Sequence, residues 1–353
     1  MNIAYIVPSL ANKGPVVVVY ELVKQMIQYG HQCTVFYFDD DLGIQFDCPV
    51  QRISFFKKYS FVDFDIVHSH GLRPDCYVFF HKYSHHSQPK YLSTLHNYMF
   101  KDLSYQYNSV IAFIGSILWI LILARHDKII VLSNNAMKYY SRWIKSRRLT
   151  YIYNSRNLVL KDLSQDIKEE LFKFKDGYRL IGINAMLTHR KGIDLLIKAL
   201  VFLPEYKLFI VGTGNELGKL RFLARKFGVV NRIYFAGYRY DAYLYLQYYD
   251  LFAMPSRSEG FPLALLEAAA MKCPVVCSDI QIFKEICSDE VAFFHLEDIP
   301  SLVSAIRLAV NNSDMTKRMY QTFSKKYSIE IFGKKYLEAY ESELRAGCCL
   351  YVF

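Results

Sequence analysis

The sequence predicts an α/β protein made of two doubly wound parallel-sheet domains. Three observations carry that prediction. Apolar strand-like runs alternate with helical stretches, and glycine or polar residues stand where the runs end. A polar stretch near Leu158–Tyr178, rich in Lys, Asp and Glu, reads as a boundary, and the same alternation restarts after it. Finally, 353 residues are too many for one ordinary core and suit two. The expected domains are residues 1–160 and 161–326.

In the first domain Ile3–Val7 reads as a strand, with none of the charge that opens a signal peptide. Gly14-Pro15 punctuates the chain before a helix over Val17–Tyr29. Gly30-His31 and the run Cys33–Phe38 follow. Ile66-Val67 is a short strand ending in His68-Ser69-His70-Gly71. Tyr91–Leu95 ends at His96, and Ile129–Leu132 at Ser133. In doubly wound sheets ligands bind at the carboxyl ends of strands, where His70, His96 and Ser133 fall. The second domain reads as Arg179–Ile183, a helix from Ile193, Tyr206–Val211, a helix from Glu216, Arg232–Phe235, Leu251–Met254 and Pro274–Ser278. Leu337–Leu344 lies in a late helix, and Cys348–Phe353 is an apolar tail.

A hydrophobic content of 52% excludes a disordered chain. The eight cysteines show neither CxxC nor Cys/His metal spacing and read as reduced structural thiols of a cytoplasmic protein. The net charge is +10, concentrated in the first half: 17 Lys+Arg and 10 Asp+Glu up to residue 160, against 26 and 23 after it. A basic first half suits an anionic partner such as membrane headgroups, and equally a generally basic protein without one. Nothing but charge speaks for nucleic acid, and none is expected. Val110–Ala124 is free of charge but shorter than the ~20 residues of a spanning helix. It reads as a buried helix or as one resting on a bilayer or lining a lipid groove. Ala136–Arg148 interleaves Lys138, Arg142, Lys145, Arg147 and Arg148 with Tyr139, Tyr140 and Trp143, which suits a membrane interface or a solvated face.

The segment Ser258–Val276, SEGFPLALLEAAAMKCPVV, poses the functional question. Pro262 fits the first turn of a helix and Ala264–Ala270 is strong helix material. Glu259 then stands just outside the helix and Glu267 about one and a half turns in. Both face a helix N-terminus whose N–H groups, from Gly260 to Leu263, favour a phosphate. Carboxylates grip sugar hydroxyls through charge-assisted hydrogen bonds. The combination suits a sugar joined to a nucleoside diphosphate. The plain alternative is a capped, solvated helix start. Arg190-Lys191-Gly192, after one strand and before a helix, supplies two cations for a diphosphate.

The second half resembles the donor domain of retaining GT-B glycosyltransferases of family 4, the glycosyl transferases group 1 class. The matching motifs are Lys191-Gly192, Gly212–Gly214, Phe235-Ala236-Gly237, Pro255–Phe261, Glu267 and Pro274–Val276. The resemblance implies two Rossmann-like domains facing across a cleft, with a helix at about 327–344 returning to the first. It implies Glu259 at the reacting face of the donor sugar, Glu267 on the ribose hydroxyls, and Lys191 with the backbone N–H groups around Phe261–Leu263 on the diphosphate, beside which Arg190 would compensate for the family's missing Arg. Tyr238 would lie near the base. In the first domain Gly14 matches the family's phosphate-side loop and His96 its histidine beside the donor sugar.

The expected reaction is therefore retaining transfer from a nucleotide sugar, most simply a UDP-sugar, to a hydroxyl of a glycan or lipid-linked acceptor. The setting would be bacterial surface polysaccharide: capsule, O-antigen and lipopolysaccharide, or exopolysaccharide. No cofactor or metal is expected, and contact with the anionic cytoplasmic face of the membrane is. Three departures stand out: Met186 where the family has Arg, Gly14-Pro15 for a glycine pair, and Asn154-Ser155 for Asn-Gly. An epimerase of the same architecture, or a catalytically silent binding subunit, are the alternatives.

Overall fold

In the computed structural model, which describes residues 1–82 and 89–348, the chain forms two compact units. One comprises Met1–Asn157 and the segment from Tyr327 onward; the other is Leu158–Lys326. Of the expected apolar tail, residues 349–353 lie outside the described residues.

The first unit runs β1 (Asn2–Leu10), α1 (Gly14–Gln28), β2 (Gln32–Leu42), β3 (Val50–Arg52), β4 (Ile66–His70), α2 (Leu72–His81), β5 (Lys90–Leu95), α3 (Met99–Gln106), α4 (Ser109–Leu123), β6 (Lys128–Val131), α5 (Asn134–Tyr140) and β7 (Leu149–Tyr151). All seven strands are parallel, in the order β3-β2-β1-β4-β5-β6-β7. β1 sits between β2 and β4, with Ile3 paired to Cys33 on one side and Ile66 on the other. Ile3–Val7 is fully buried, as a strand covered on both faces must be. The sheet changes winding direction between β1 and β4.

The second unit runs α6 (Gln165–Lys175), β8 (Arg179–Asn184), α7 (Ile193–Ala199), β9 (Tyr206–Val211), α8 (Leu217–Lys226), β10 (Ile233–Gly237), β11 (Leu251–Met254), α9 (Leu263–Ala270), β12 (Val275–Ser278), α10 (Gln281–Ile286), β13 (Ala292–Phe294), α11 (Ile299–Asn311) and α12 (Ser313–Lys326). Its strands, again all parallel, are ordered β10-β9-β8-β11-β12-β13. The switch point lies between β8 and β11.

The final helix, α13 (Ile329–Cys348), packs on α1. A Cβ on Gly333 would stand 2.9 Å from Cβ of Gln25, so only glycine allows this approach. Tyr340 of α13 bonds His68 Nδ1 at 2.8 Å and donates to Tyr5 Oη at 3.3 Å. His68 Nε2 meets Thr94 Oγ1 at 2.8 Å. A polar network with no solvent exposure at His68 or Tyr340 thus ties the chain's end to β1, β4 and β5.

The strand that begins at Ile66-Val67 runs through His70, and His68, Ser69 and His70 are buried within it. The polar stretch 158–178 begins where the two units divide. It holds α6, an amphipathic helix whose Leu171 is fully buried while its Lys and Glu residues stay largely out of the core.

Candidate active site

The switch point of the second sheet brings together the carboxyl ends of β8 and β11. The loop after β8 closes in a single tight turn, His189–Lys191, capped by Gly192 at φ 67°. The loop after β11 leads from Pro255 into α9. The two loops touch so closely that a Cβ on Gly192 would lie 2.0 Å from the Pro255 carbonyl oxygen. Arg257 N–H donates to the Arg190 carbonyl at 2.8 Å, stitching the same segments.

This contact sets the charges. Glu259, 6% exposed, receives Lys191 Nζ on Oε1 at 2.5 Å and Arg190 on Oε2 at 3.3 Å. Ser256 Oγ donates to Oε1 at 2.7 Å. Burial works to protonate this carboxyl, but Lys191 and then Arg190 outweigh burial and hold it below its ordinary range. Arg190 also donates to the Ser258 carbonyl at 2.8 Å. A buried carboxylate with two cations is therefore assembled where β8 and β11 end.

Gly260, Phe261 and Pro262 follow, all buried, and α9 starts at Leu263. Pro262 is the residue before the helix rather than inside its first turn, as the sequence suggested; its φ of −82° with ψ 95° is extended. The first N–H groups of a helix have no partner within it, and here they follow directly on Glu259. Glu267 lies half-buried in the second turn of α9. Tyr238, 58% exposed, follows β10 directly and stands outside the Glu259 cluster. Met186 is 56% exposed in the loop after β8.

Gly212 and Gly214 have a structural explanation. Cβ atoms there would come within 1.9 Å of the Ala185 oxygen and 2.3 Å of the Leu187 oxygen. Leu187 N–H donates to Thr213 O at 2.9 Å, so the loop after β9 lies flat against the loop after β8. Its two glycines allow this close approach of the two loops.

Sequence reasoning passed over Ser256, Asp194 and Arg257. Arg257 binds Asp194 at 2.8 Å, Glu297 at 2.6 Å and the His189 carbonyl at 2.6 Å, clamping the turn that carries Arg190 and Lys191. Its place inside the Pro255–Phe261 motif was the available signal. A cavity of about 520 Å³ opens between α7 and α8, lined by Thr188, Lys198, Lys219 and Phe222 among others, but contains none of the Glu259 cluster.

Gly14 and His96 belong to the first unit. Gly14 opens α1 with ordinary φ, and a Cβ added to it would meet nothing within 4 Å, so the backbone there does not require glycine. His96 follows β5, half-buried, with Nε2 3.0 Å from Nδ1 of His70. Burial pushes its pKa down to about 3, so it is neutral near pH 7. His70 Nε2 is buried without a partner. The tautomer that avoids an orphaned N–H has His70 Nδ1–H donating to His96 Nε2. His96 then carries its proton on Nδ1. Ser133 follows the carboxyl end of β6, as expected, and caps α5: its Oγ accepts from Ala136 N–H at 2.9 Å. Among the described residues no three His, Cys, Asp or Glu side chains gather as metal ligands.

Two parallel-sheet Rossmann-like units, the second with a basic turn meeting a buried glutamate ahead of a helix N-terminus, define a fold of the GT-B class. Sequence comparison gives the family. Residues 164–326 match the glycosyl transferases group 1 family and residues 12–159 match glycosyltransferase family 4. The O-antigen biosynthesis glycosyltransferase WclY of Escherichia coli is 33% identical over 98% of this chain and 99% of its own. The lipopolysaccharide core mannosyltransferase LpsB of Rhizobium meliloti is 29% identical over 47% of this chain and 52% of its own. The chain belongs to the glycosyl transferases group 1 family. Solved structures share the fold: sucrose-phosphate synthase of Thermosynechococcus elongatus, with TM-score 0.82 and 19% identity over 98% of this chain and 99% of that one, and Anabaena HepE in complex with UDP, with TM-score 0.81 and 17% identity over 97% and 100%.

Proposed function

We propose that the protein is a retaining glycosyltransferase of O-antigen biosynthesis that moves a sugar from a UDP-sugar to a hydroxyl of a lipid-linked glycan. The observation that carries this reading is the Glu259–Lys191–Arg190 cluster at the switch point, ahead of α9. UDP is favoured because HepE, of the same fold, is solved with UDP-glucose. The O-antigen setting follows WclY, similar over nearly the whole chain.

In the reaction the acceptor oxygen forms a bond to the anomeric carbon on the face the nucleotide leaves. The bond from that carbon to the phosphate oxygen breaks, and UDP departs with the electron pair. The acceptor proton passes to the departing phosphate oxygen. Lys191, Arg190 and the first N–H groups of α9 stabilise the charge that develops there. Glu259 orients the donor sugar and Glu267 holds the ribose. His96, through its Nδ1–H, supplies a neutral hydrogen-bond donor to the sugar. The fixed cations take the part a metal plays in other transferases, so activity survives chelation with EDTA. A lipid-linked acceptor calls for work at the cytoplasmic face of a membrane.

The test is a donor screen by ligand-observed NMR with UDP-, GDP-, ADP- and dTDP-sugars, run on wild type and Glu267→Ala. Binding of a UDP-sugar that the variant loses supports the reading. A folded protein that binds no nucleotide sugar overturns it. Turnover of the bound donor without any acceptor would instead indicate an epimerase.

A further inference from the structure

We propose that His70 is a positioning residue for His96: it locks that ring as a hydrogen-bond donor and denies it the part of a base. The two histidines stand where the sheet of the first unit changes winding direction. β1 and β4 border that switch point. His70 is the last residue of β4, and Gly71 turns the chain at φ 99° into α2. His96 follows β5, the next strand. In doubly wound sheets ligands bind in the crevice outside the carboxyl ends of the strands at such a point.

The sequence places the pair by its period. In an extended chain, side chains two positions apart share a face. His68 and His70 therefore leave β4 on one side, and Thr94 and His96 leave β5 and its extension on one side. Parallel pairing of the two strands turns the four into two rungs. His68 Nε2 meets Thr94 Oγ1 at 2.8 Å, and His70 Nδ1 meets His96 Nε2 at 3.0 Å. Tyr340 anchors the first rung at His68 Nδ1. The second rung packs on the first, with the His68 and His70 ring centroids 4.2 Å apart and Tyr5 6.3 Å from His70. His70 has no solvent exposure, so close packing holds its ring in place. His96 is only half-buried, at the edge of this packing.

The pair is asymmetric. Burial pushes the pKa of both rings down and keeps them neutral near pH 7, so each carries one N–H and a single proton lies between them. The other nitrogen of His70, Nε2, is buried without a partner. An orphaned N–H there is the costlier state, so the proton of His70 sits on Nδ1 and points at His96. The one lone pair of the His96 ring, on Nε2, is thereby occupied from the buried side. Its own proton is on Nδ1, which no hydrogen bond among the described residues engages. Such a ring gives a hydrogen bond to a ligand oxygen and has no lone pair left to take a proton from one. On the transferase reading proposed above, on which this use rests, His96 holds a donor-sugar oxygen and leaves the acceptor proton to the departing phosphate. A partner that fixes the tautomer of a working histidine acts through it, without touching the substrate.

The test reads the ring directly. Full-length protein labelled with nitrogen-15 in its histidine rings is examined by long-range proton–nitrogen correlation near neutral pH, with His96→Gln to assign the signal. The expected wild-type pattern is a protonated Nδ1 and a bare Nε2 at His96. His70→Leu shifts the ring towards the Nε2–H form that free imidazole prefers. His70→Asn, whose amide keeps an N–H donor at the place of Nδ1, retains the wild-type pattern. Kinetics with the UDP-sugar chosen by the donor screen then separate positioning from packing. His70→Leu lowers kcat at least ~10-fold with donor KM within about twofold, and His70→Asn restores most of the loss. A His70 that only fills space would lower stability in both variants and leave the His96 ring and kcat as they are. A wild-type His96 with its proton on Nε2 overturns the proposal and leaves the transferase reading intact. So does a folded His70→Leu protein with kcat within about twofold of wild type. A folded protein that binds no nucleotide sugar sinks the transferase reading, and with it the use assigned to the pair, whichever tautomer the ring shows.

Discussion

Lys191 Nζ stands 2.5 Å from Glu259 Oε1, and Arg190 reaches the other carboxylate oxygen at 3.3 Å. The two cations expected to hold a diphosphate are thus already engaged by a carboxylate. A diphosphate arriving at this turn must share them with Glu259. Glu259→Gln frees both cations while keeping the shape of the side chain. Bare UDP is expected to bind the variant several-fold more tightly, on the order of 1 kcal/mol, the scale of one charge-assisted hydrogen bond released. Sugar transfer is expected to fall at least ~100-fold, because the group proposed to orient the sugar is altered. Calorimetry with UDP and a turnover assay separate the two effects. Weaker UDP binding by the variant would show that Glu259 is not the competitor.

Lys191→Met tests the same pair from the other side. It leaves a buried carboxylate with Arg190 and Ser256 as partners. Breaking a fully buried pair costs about 3–5 kcal/mol; Lys191 keeps 19% of its side chain exposed, so about 2 kcal/mol is expected in urea unfolding. The pH dependence has a definite sign. Glu259 has a lowered carboxyl pKa in the fold, so the pair's contribution is present above the ordinary value of 4.5 and is lost as pH falls through the lowered one. In Lys191→Met that acid-side loss is smaller than in wild type.

The fold class was legible because a parallel sheet covered on both faces writes each strand as a continuous apolar run. Ile3–Val7 and Tyr206–Val211 are cases in point, buried throughout. The three-residue edge strands β3, β7 and β13 carry too little pattern to be read. His68–His70 put polar residues into a central strand, against that apolar pattern; the hydroxyls of Tyr340 and Thr94 at His68, the Asp75 carboxyl at Ser69 and His96 at His70 give them partners. The residues of the Glu259 cluster were legible as types at motif spacing, but their mutual pairing was not. Nothing in the order of Arg190, Lys191 and Glu259 says that β8 and β11 are adjacent, and that adjacency makes the ion pairs. Arg257 went unread for the same reason, since its partners Asp194 and Glu297 lie 63 and 40 positions away.

Four histidines of the first unit predict how it responds to acid. Burial pushes His96 and His126 down to about 3, and His68 and His70 well below the ordinary value. Below pH 6.5 the unfolded chain takes up protons at these sites that the folded chain refuses. Stability therefore rises with pH between about 3 and 6.5, and is lost as pH falls below 6.5, at up to about 1.4 kcal/mol per pH unit for each histidine. Asp75, raised to about 7 by burial, acts with the opposite sign: its neutral form favours the fold, and that contribution fades as pH rises from the ordinary value of 3.8 towards 7. Four histidines against one aspartate leave a net loss on acidification. Urea midpoints at pH 7.0, 6.0 and 5.0 should fall in that order. A flat profile would mean that these rings are hydrated in solution.

Tyr340→Phe removes one hydroxyl from the network that ties α13 to the first sheet. His68 Nδ1 and Tyr5 Oη would each lose a partner in a region without solvent. Leaving a buried polar group unsatisfied costs about 1–3 kcal/mol. The loss should appear as lower stability with unchanged affinity for bare UDP, because the cation turn proposed to hold the diphosphate lies in the second unit. Equal loss of UDP binding in a folded Tyr340→Phe protein would contradict this separation.

Gly192→Ala is the sharpest test of how the site is built. Gly192 sits at φ 67°, ψ 20°, where any side chain costs about 1 kcal/mol. A Cβ there would also stand 2.0 Å from the Pro255 carbonyl oxygen. That oxygen is main chain, so no rotamer change relieves the clash; the loop from Pro255 to Glu259 has to move away from the turn carrying Arg190 and Lys191. The 2.8 Å bond from Arg257 N–H to the Arg190 carbonyl and the Arg257 clamp on Asp194 resist that movement. A destabilisation of about 3 kcal/mol or more is expected, with weakened nucleotide-sugar binding in whatever fraction folds. Gly218→Ala is the matched control. Gly218 lies in α8 with nothing within 4 Å of an added Cβ and no positive φ. Alanine there is expected to be neutral or stabilising by about 0.5–1 kcal/mol, since it restricts the unfolded chain and favours helix. If urea unfolding finds the two variants equally stable, the close approach of the two loops is not what holds Lys191 against Glu259.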